Sequence, residues 1–367
     1  MNLIYSSNLH VGGGVQVAAS FITELAKMDE AKCFCVYVSS KVARNLQDID
    51  LVRKCFERFI IEDHYGFCSK ALLFSVESFR YKKIFVVFGP KYFFSLFAEI
   101  ITGFAQPWII YPNNLAWQGM SLWRKILLSV KMAIQKRLFF SSDFLVVELP
   151  HVKNRLISYG YPSECIAVVP NCVSGIYFNE ASWASISPQR SGDFLKVGFL
   201  GRNYIHKNTC IFPEIHHYLW NKYHIDVRFV VTFSAEEFDQ TSTDFKAVCV
   251  NLGELEANQC PAFYRYIDYL IFPSLLECFS ATPIESMIMR RPLIVSDLPF
   301  NRDICGDCAL YFSPLDAESA ADGIAQLINN PCEAQFRVEI GYQRALTFAN
   351  SSDRARSYVN LFNISDV

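Results

Sequence analysis

The chain has 367 residues, and single cores stop growing beyond roughly 250–300, so two domains with separate cores are expected. Its 34 basic and 36 acidic residues leave a net charge of −2, which excludes an overall electrostatic footprint for nucleic acid; any anionic ligand must be held by a local cluster. With 51% hydrophobic and 15% aromatic residues the composition is greasy, so some apolar surface is expected to stay exposed, with a membrane surface as its natural partner.

The opening MNLIYSSNLH lacks the basic and apolar regions of an export signal and reads as a first strand and its loop, so a cytoplasmic place is expected. Short apolar runs then alternate with helix-length segments, the pattern of a parallel sheet with crossover helices. The first-half strands read as LIYSS, CFCVYVS, IFVVFG, WIIYP, FLVVEL and CIAVVP. Residues 92–110 are nearly long enough for a membrane span, but Glu99, Gly103, Gln106 and Pro107 divide them into an expected helix followed by a strand. In residues 121–140, Arg124, Lys125, Lys131, Lys136 and Arg137 interrupt an apolar helical pattern, which suits either a domain helix with a solvated basic face or a helix lying on an anionic bilayer. These elements make a first domain over residues 1–177. The polar stretch 178–193 reads as the linker.

A second doubly wound domain follows over residues 194–345, with strands in FLKVGFLG, DVRFVV, KAVCVNLG, YLIFPS, PLIVS and ALYFS. The tail, 346–367, reads as a helix that can cross back to the first domain. Many of the 13 cysteines lie inside apolar runs and read as reduced core residues. Cys305 and Cys308 form a CxxC without a second pair, which fits a turn containing two thiols better than a zinc site.

In open α/β sheets ligands sit beyond the carboxyl ends of the strands, so residues just after strands are the candidates. Gly12, Gly13 and Gly14 follow the first strand and lead into a helix, where backbone N–H groups can approach an anion. The alternative is a tight turn. Arg202 and Lys207 follow the first strand of the second domain. A guanidinium and an ammonium at the mouth of a sheet suit a diphosphate, and the alternative is a solvated basic loop. In LLECFSATPIES, Glu277 lies in a loop beyond a strand, whereas Thr282, Pro283 and Glu285 fit the cap, first and third positions of a helix, a capping box.

The run FPSLLECFSATPIESMIMRRPLIVSD followed by GDCALYFSP resembles the donor segment of the retaining glycosyltransferases of family 4, marked by Glu-x7-Glu. GRNYIHKN resembles that family's Gly-Arg-x4-Lys element, VVELPHVKNRL and VVPNCV the end of its first domain, and HVGGGVQ its N-terminal glycine loop, all in the same order. The resemblance implies a GT-B architecture: α/β, two Rossmann-like domains facing a central cleft that holds a nucleotide-sugar. It implies that Arg202 and Lys207 hold the diphosphate and stabilise it as it leaves, that Glu277 lies near the donor sugar, and that Glu285 binds the ribose. It gives the amides of Ser280, Ala281 and Thr282 to the phosphate and adds Gly13, Gly14, Asn113, Asn114, Gly253 and Phe279 to the donor site. It implies no cofactor and no metal, since the two cations do a metal's work.

The chain departs from the family pattern in two places. Cys278 and Ser280 stand where the family has glycines, which restricts the loop's access to positive φ. The first-domain loop after WIIYP carries Asn113 and Asn114 where the family often has a histidine, and an amide cannot transfer a proton near neutral pH. His10 and His151 lie near loop positions and read as structural.

The reading is sugar transfer from a nucleoside diphosphate sugar to a hydroxyl acceptor with retention, in the assembly of a surface or lipid-linked glycan on the cytoplasmic side of a membrane. A nucleotide-sugar epimerase would need an acid and a base that these motifs do not provide. A catalytically inactive GT-B subunit binding a partner enzyme is the reading from a different class. A nicotinamide dehydrogenase fits the strands but not the motifs.

Overall fold

The computed structural model describes residues 1–46, 48–187 and 194–366. The chain divides into two compact units: Met1–Pro112 with Ser121–Cys172 and Ala349–Val367, and Asn113–Met120 with Val173–Phe348.

The first unit is built on seven parallel strands, β1 (Asn2–Ser6), β2 (Phe34–Val38), β3 (Arg58–Ile61), β4 (Lys83–Val86), β5 (Glu99–Gly103), β6 (Phe144–Val147) and β7 (Ile166–Val168). Their order is β3-β2-β1-β4-β5-β6-β7, so the sheet winds in both directions from β1. The central strands are apolar without alternation because helices cover both faces. Two of these strands were not visible as such in the sequence. RFII forms β3 at the sheet edge, and β5 is EIITG, four residues before the WIIYP that was expected to be a strand. Pro107 instead opens a one-turn helix, Pro107–Ile110, that buries Ile109 and Ile110. Gly103 ends β5 so close to the chain leaving β4 that a Cβ there would lie 1.8 Å from the Val87 carbonyl oxygen.

The second unit carries six parallel strands, β8 (Leu195–Phe199), β9 (Val227–Val231), β10 (Cys249–Asn251), β11 (Tyr269–Phe272), β12 (Leu293–Ser296) and β13 (Ala309–Phe312), in the order β10-β9-β8-β11-β12-β13. The expected pair of doubly wound α/β sheets is present. Of the stretch expected as a linker, residues 188–193 lie outside the described residues, and the part before them packs on the second unit. Trp183 donates from Nε1 to the Ile176 carbonyl at 2.6 Å and lies under the Arg265 guanidinium at 4.3 Å.

After the helix Pro331–Ala345 the chain returns to the first unit through the helix Ser351–Asn360. Tyr358 packs edge-on against Phe21, and Phe362 against Phe34. Arg354 is 2% exposed; its guanidinium donates to Asn171 Oδ1 and, at 2.9 Å, to Ser20 Oγ. Replacing it by alanine removes both bonds and leaves a cavity, so Arg354→Ala is expected to cost about 2–4 kcal/mol. Calorimetry measures the loss, and limited proteolysis should release the C-terminal helix first.

Candidate functional site

In the second unit the winding direction reverses between β8 and β11, the position at which an open α/β sheet offers a crevice beyond its carboxyl edge. The chain leaving β8 makes the turn Ile205–Lys207, closed by Asn208 in the left-handed conformation at φ 54°. This turn is joined to the loop leaving β11, since Leu275 N donates to the His206 carbonyl at 2.7 Å. Across that junction Lys207 Nζ donates to Glu277 Oε1 at 2.5 Å, and Ser274 Oγ donates to the same oxygen at 2.7 Å. The ammonium also lies over the Phe272 ring, 5.1 Å from its centroid. The two side chains are only 16% and 13% exposed, so little water competes for the pair. His206 Nε2 stands 4.0 Å from Glu277 Oε1. Burial holds this imidazole below its ordinary value despite the nearby carboxylate, so it is neutral at neutral pH.

Arg202 is held by other acids. Its Nε donates to Glu237 Oε1 at 2.8 Å and one terminal nitrogen to Glu254 Oε1 at 2.5 Å. Glu237 is the third residue of the helix Ala235–Asp239 and completes a capping box with Ser234. Glu254 follows Gly253, which takes φ 80° and whose N–H donates to Asn251 Oδ1. The ends of β8, β9 and β10 thus converge on one guanidinium, as those of β8 and β11 do on Lys207.

The helix after β11 runs from Ala281 to Ile288 with Ser280 at its cap, and the Ser280 hydroxyl makes no capping bond. This corrects the expected box: Thr282 and Pro283 already belong to the first turn, and Glu285 lies two positions beyond the one that reaches back to the cap. The carboxylate instead accepts the Tyr264 hydroxyl at 2.9 Å and faces the hydroxyl of Tyr177. Burial raises the Glu285 carboxyl above its usual range, partly offset by the two hydroxyls, and the neighbouring Cys260 thiol is pushed up to about 12 by burial and by that carboxylate. Ser280 sits at φ −137°, and neither it nor Cys278 takes positive φ, so the loop follows a path open to residues with a side chain. Phe279 is half-buried between them. The amides of Ala281 and Thr282 stand at a helix start that no side chain caps.

In the first unit Gly12 takes φ 74° and ψ −166°, a conformation essentially reserved for glycine, and the helix Gly13–Leu25 starts behind it. Gly14 lies against Leu9 and Phe88. His10 stacks on Tyr65 at 4.0 Å and its Nε2 is 2.9 Å from the His64 carbonyl, while the His151 ring lies 6.2 Å from that of Tyr111. Asn113 and Asn114, expected in a first-domain loop, group with the second unit. Asn113 is exposed, and Asn114 Oδ1 caps the turn Leu115–Trp117 by accepting from Ala116 N at 3.1 Å. Gly119 explains the grouping: the segment packs so closely on the turn after β8 that a Cβ there would lie 3.1 Å from Ile205 Cδ1. Cys305 and Cys308 are buried, with the Cys308 thiol 3.2 Å from Met287 Sδ. Among the described residues no group of three or more His, Cys, Asp or Glu side chains is placed to hold a metal ion.

The acids that hold Arg202 and the tyrosines around Glu285 were not anticipated from sequence. Ser234-x-x-Glu237 was a legible capping signal, but nothing local in a chain with 18 tyrosines singles out Tyr177 or Tyr264.

Residues 195–330, which include every strand of the second sheet, match the protein-family model described as Glycosyl transferases group 1. The O-antigen chain mannosyltransferase RfbU of Salmonella typhimurium is 29% identical over 176 residues, which is 47% of this chain and 47% of that protein, so the match spans about half of the curated relative. A glycosyltransferase from Rickettsia africae ESF-5 superimposes with a TM-score of 0.67 at 14% identity, over 99% of this chain and 98% of its own. Anabaena Alr3699/HepE, solved in complex with UDP-glucose, does so with a TM-score of 0.68 at 11% identity, over 99% and 98%. At these identities the likeness establishes the fold.

Two measurements follow from the geometry. Lys207→Met or Glu277→Gln alone leaves a largely buried polar partner unmatched and is expected to lower stability by about 1–3 kcal/mol, with the double variant recovering much of it; a denaturation cycle reads the coupling. The raised Glu285 carboxyl means that the folded chain holds this proton more tightly than the unfolded one. Its stabilisation is complete below the ordinary value of 4.5 and is lost as pH rises through the raised value. Glu285→Gln should therefore flatten the stability profile above pH 4.5, as thermal melts across pH would register.

Proposed function

We propose that this chain, whose second unit is of the group 1 glycosyl transferase family and whose fold is GT-B, moves a sugar from a nucleoside diphosphate sugar to a hydroxyl acceptor with retention, in the assembly of a surface or lipid-linked glycan. The observation that carries this reading is the Lys207–Glu277 pair at the reversal of the second sheet, with Arg202 and the uncapped start of the helix Ala281–Ile288 on the same carboxyl edge.

Each group then has a task. Arg202 and Lys207 neutralise the diphosphate as the sugar–oxygen bond breaks, Arg202 by giving up Glu254, the more exposed of its two acids, and Lys207 from its place over Phe272. The amides of Ala281 and Thr282, at the positive end of their helix, face the same anion. Glu285, backed by Tyr264 and Tyr177, accepts the ribose hydroxyls, and Glu277 lies beside the sugar. The acceptor oxygen bonds to the anomeric carbon on the face the diphosphate leaves. The acceptor proton passes to the departing phosphate oxygen, so no protein base is required. The likeness to a mannosyltransferase of O-antigen assembly supports a glycan acceptor.

Thermal shift with a panel of nucleoside diphosphates and their sugars tests the reading. The cognate diphosphate at about 100 times its dissociation constant should stabilise by roughly 2.7 kcal/mol, and failure of the whole panel would end the proposal. Arg202→Ala or Lys207→Ala should lower turnover by roughly 10²-fold or more, and unchanged turnover in both would remove the diphosphate assignment. Glu285→Gln should weaken the cognate diphosphate by roughly tenfold in calorimetric titration, since hydrogen bonds to a charged group are worth about 1.5–3 kcal/mol.

A further inference from the structure

Two helices of the first unit keep an apolar face in water. The helix Ser69–Glu77 joins β3 to β4 and the helix Leu122–Phe140 joins β5 to β6; both connections move the same way along the strand order, and right-handed crossovers then put both helices on one side of the sheet. The helix Gly13–Leu25, whose connection runs the other way, covers the opposite side. The packing agrees, since Phe74 shares a core with Leu3, Tyr5 and Ile84, whereas Phe21 packs with Ile4, Val36 and Phe85. The segment 91–98 lies between the two helices. Gln135 Nε2 donates to the Tyr92 hydroxyl at 3.1 Å, and Phe94 N donates to Ser75 Oγ at 2.9 Å.

The helix Leu122–Phe140 turns Met132, Gln135 and Phe139 inward. Trp123, Ile126, Leu127, Val130 and Ile134 then recur at helical spacing on the outer side and are 45–77% exposed. Beside them Leu73, Val76, Phe94, Leu96 and Phe97 are 65–80% exposed, with Phe97 held edge-on to Phe79. A water-facing domain helix has a polar outer side, and this one carries a second apolar stripe.

The charge on these segments is as one-sided as the apolar exposure. Leaving aside Lys83, which is buried in β4, residues 66–98 contain four basic side chains and one acid, and residues 121–142 five and none, which leaves the rest of a chain of net charge −2 with −10. Arg124, Lys131 and Arg137 are exposed along the outer stripe.

We propose that this face of the first unit lies on an anionic bilayer, with the outer stripe of the helix Leu122–Phe140 and the tip Phe94–Phe97 at the boundary between headgroups and acyl chains, and the lysines and arginines on anionic headgroups. No helix among the described residues is long and apolar enough to cross a membrane, so the contact is with one leaflet. The charge decides against a second copy as the occupant, because a two-fold pairing of this face would set two strongly basic surfaces against each other. The inference goes beyond the donor-site reading, and its readout needs no sugar donor, so either can fail alone.

Co-sedimentation of the full chain with vesicles of phosphatidylcholine, with and without phosphatidylglycerol, tests it. At low salt the bound fraction should rise about tenfold or more with the anionic lipid and fall as salt is added. The double substitutions Trp123→Glu with Leu127→Glu, and Leu73→Glu with Leu96→Glu, should each abolish binding without moving the melting temperature, because all four side chains are exposed. Wild type that stays in the supernatant with anionic vesicles at low salt overturns the proposal. So does unchanged binding of both variants, and so does a dimer in light scattering that these substitutions dissociate, which would make a second copy the occupant.

Discussion

Parallel strands cannot be joined by a two-residue hairpin. Each needs a crossover of a dozen or more residues, and the crossover leaves every strand from the same edge of the sheet. In the second unit this alone gathers the ends of β8, β9, β10 and β11 along one rim, although the residues they carry are as far apart in sequence as Arg202 and Glu285. The reversal of winding between β8 and β11 then sends the neighbouring connections to opposite faces and opens the rim where Lys207 meets Glu277. Site and sheet are therefore one arrangement.

The rim is electrostatically satisfied within itself. Lys207 has Glu277 and Arg202 has Glu237 and Glu254, so the cations are aimed without the long-range repulsion that two unpaired cations would bring. The partners differ in kind. Glu277 is fixed by Ser274 and shielded from water, whereas Glu254 is 59% exposed and is more easily displaced by a competing anion. A rim arranged in this way holds one cation rigidly and lends the other.

The strands most legible in the sequence are the continuous apolar runs, because strands covered on both faces need no polar alternation. The misreading between residues 92 and 110 has the same origin. A short apolar run has no period of its own, so WIIYP reads as a strand although Pro107 pre-sets a helical turn, and EIITG, with an acid, a threonine and a glycine, falls in the expected helix although it forms β5 and no helix precedes it from residue 92. Arg202, Lys207 and Glu277 were legible because their candidacy depends only on following a strand. Glu285 was misjudged because a local rule supplied an attractive partner three residues away, while its actual partners, Tyr264 and Tyr177, come from a distant helix and turn. Asn113 and Asn114 group with the second unit although chain order puts them in a first-domain loop, since chain order says nothing about the packing of Gly119 on Ile205.

The return of the last helix to the first unit also sets an order of events at the ribosome. The core around Ile4, Phe21 and Phe85 includes Ala355, Tyr358, Leu361 and Phe362, so the half of the protein synthesised first cannot finish its core until the final segment has emerged. The second unit, complete by Phe348, can close earlier. Domains generally fold as units during synthesis, with the N-terminal one first. Here the unit that begins first cannot complete its core first, because the side of its sheet that Ser351–Asn360 covers stays open until that helix has been made.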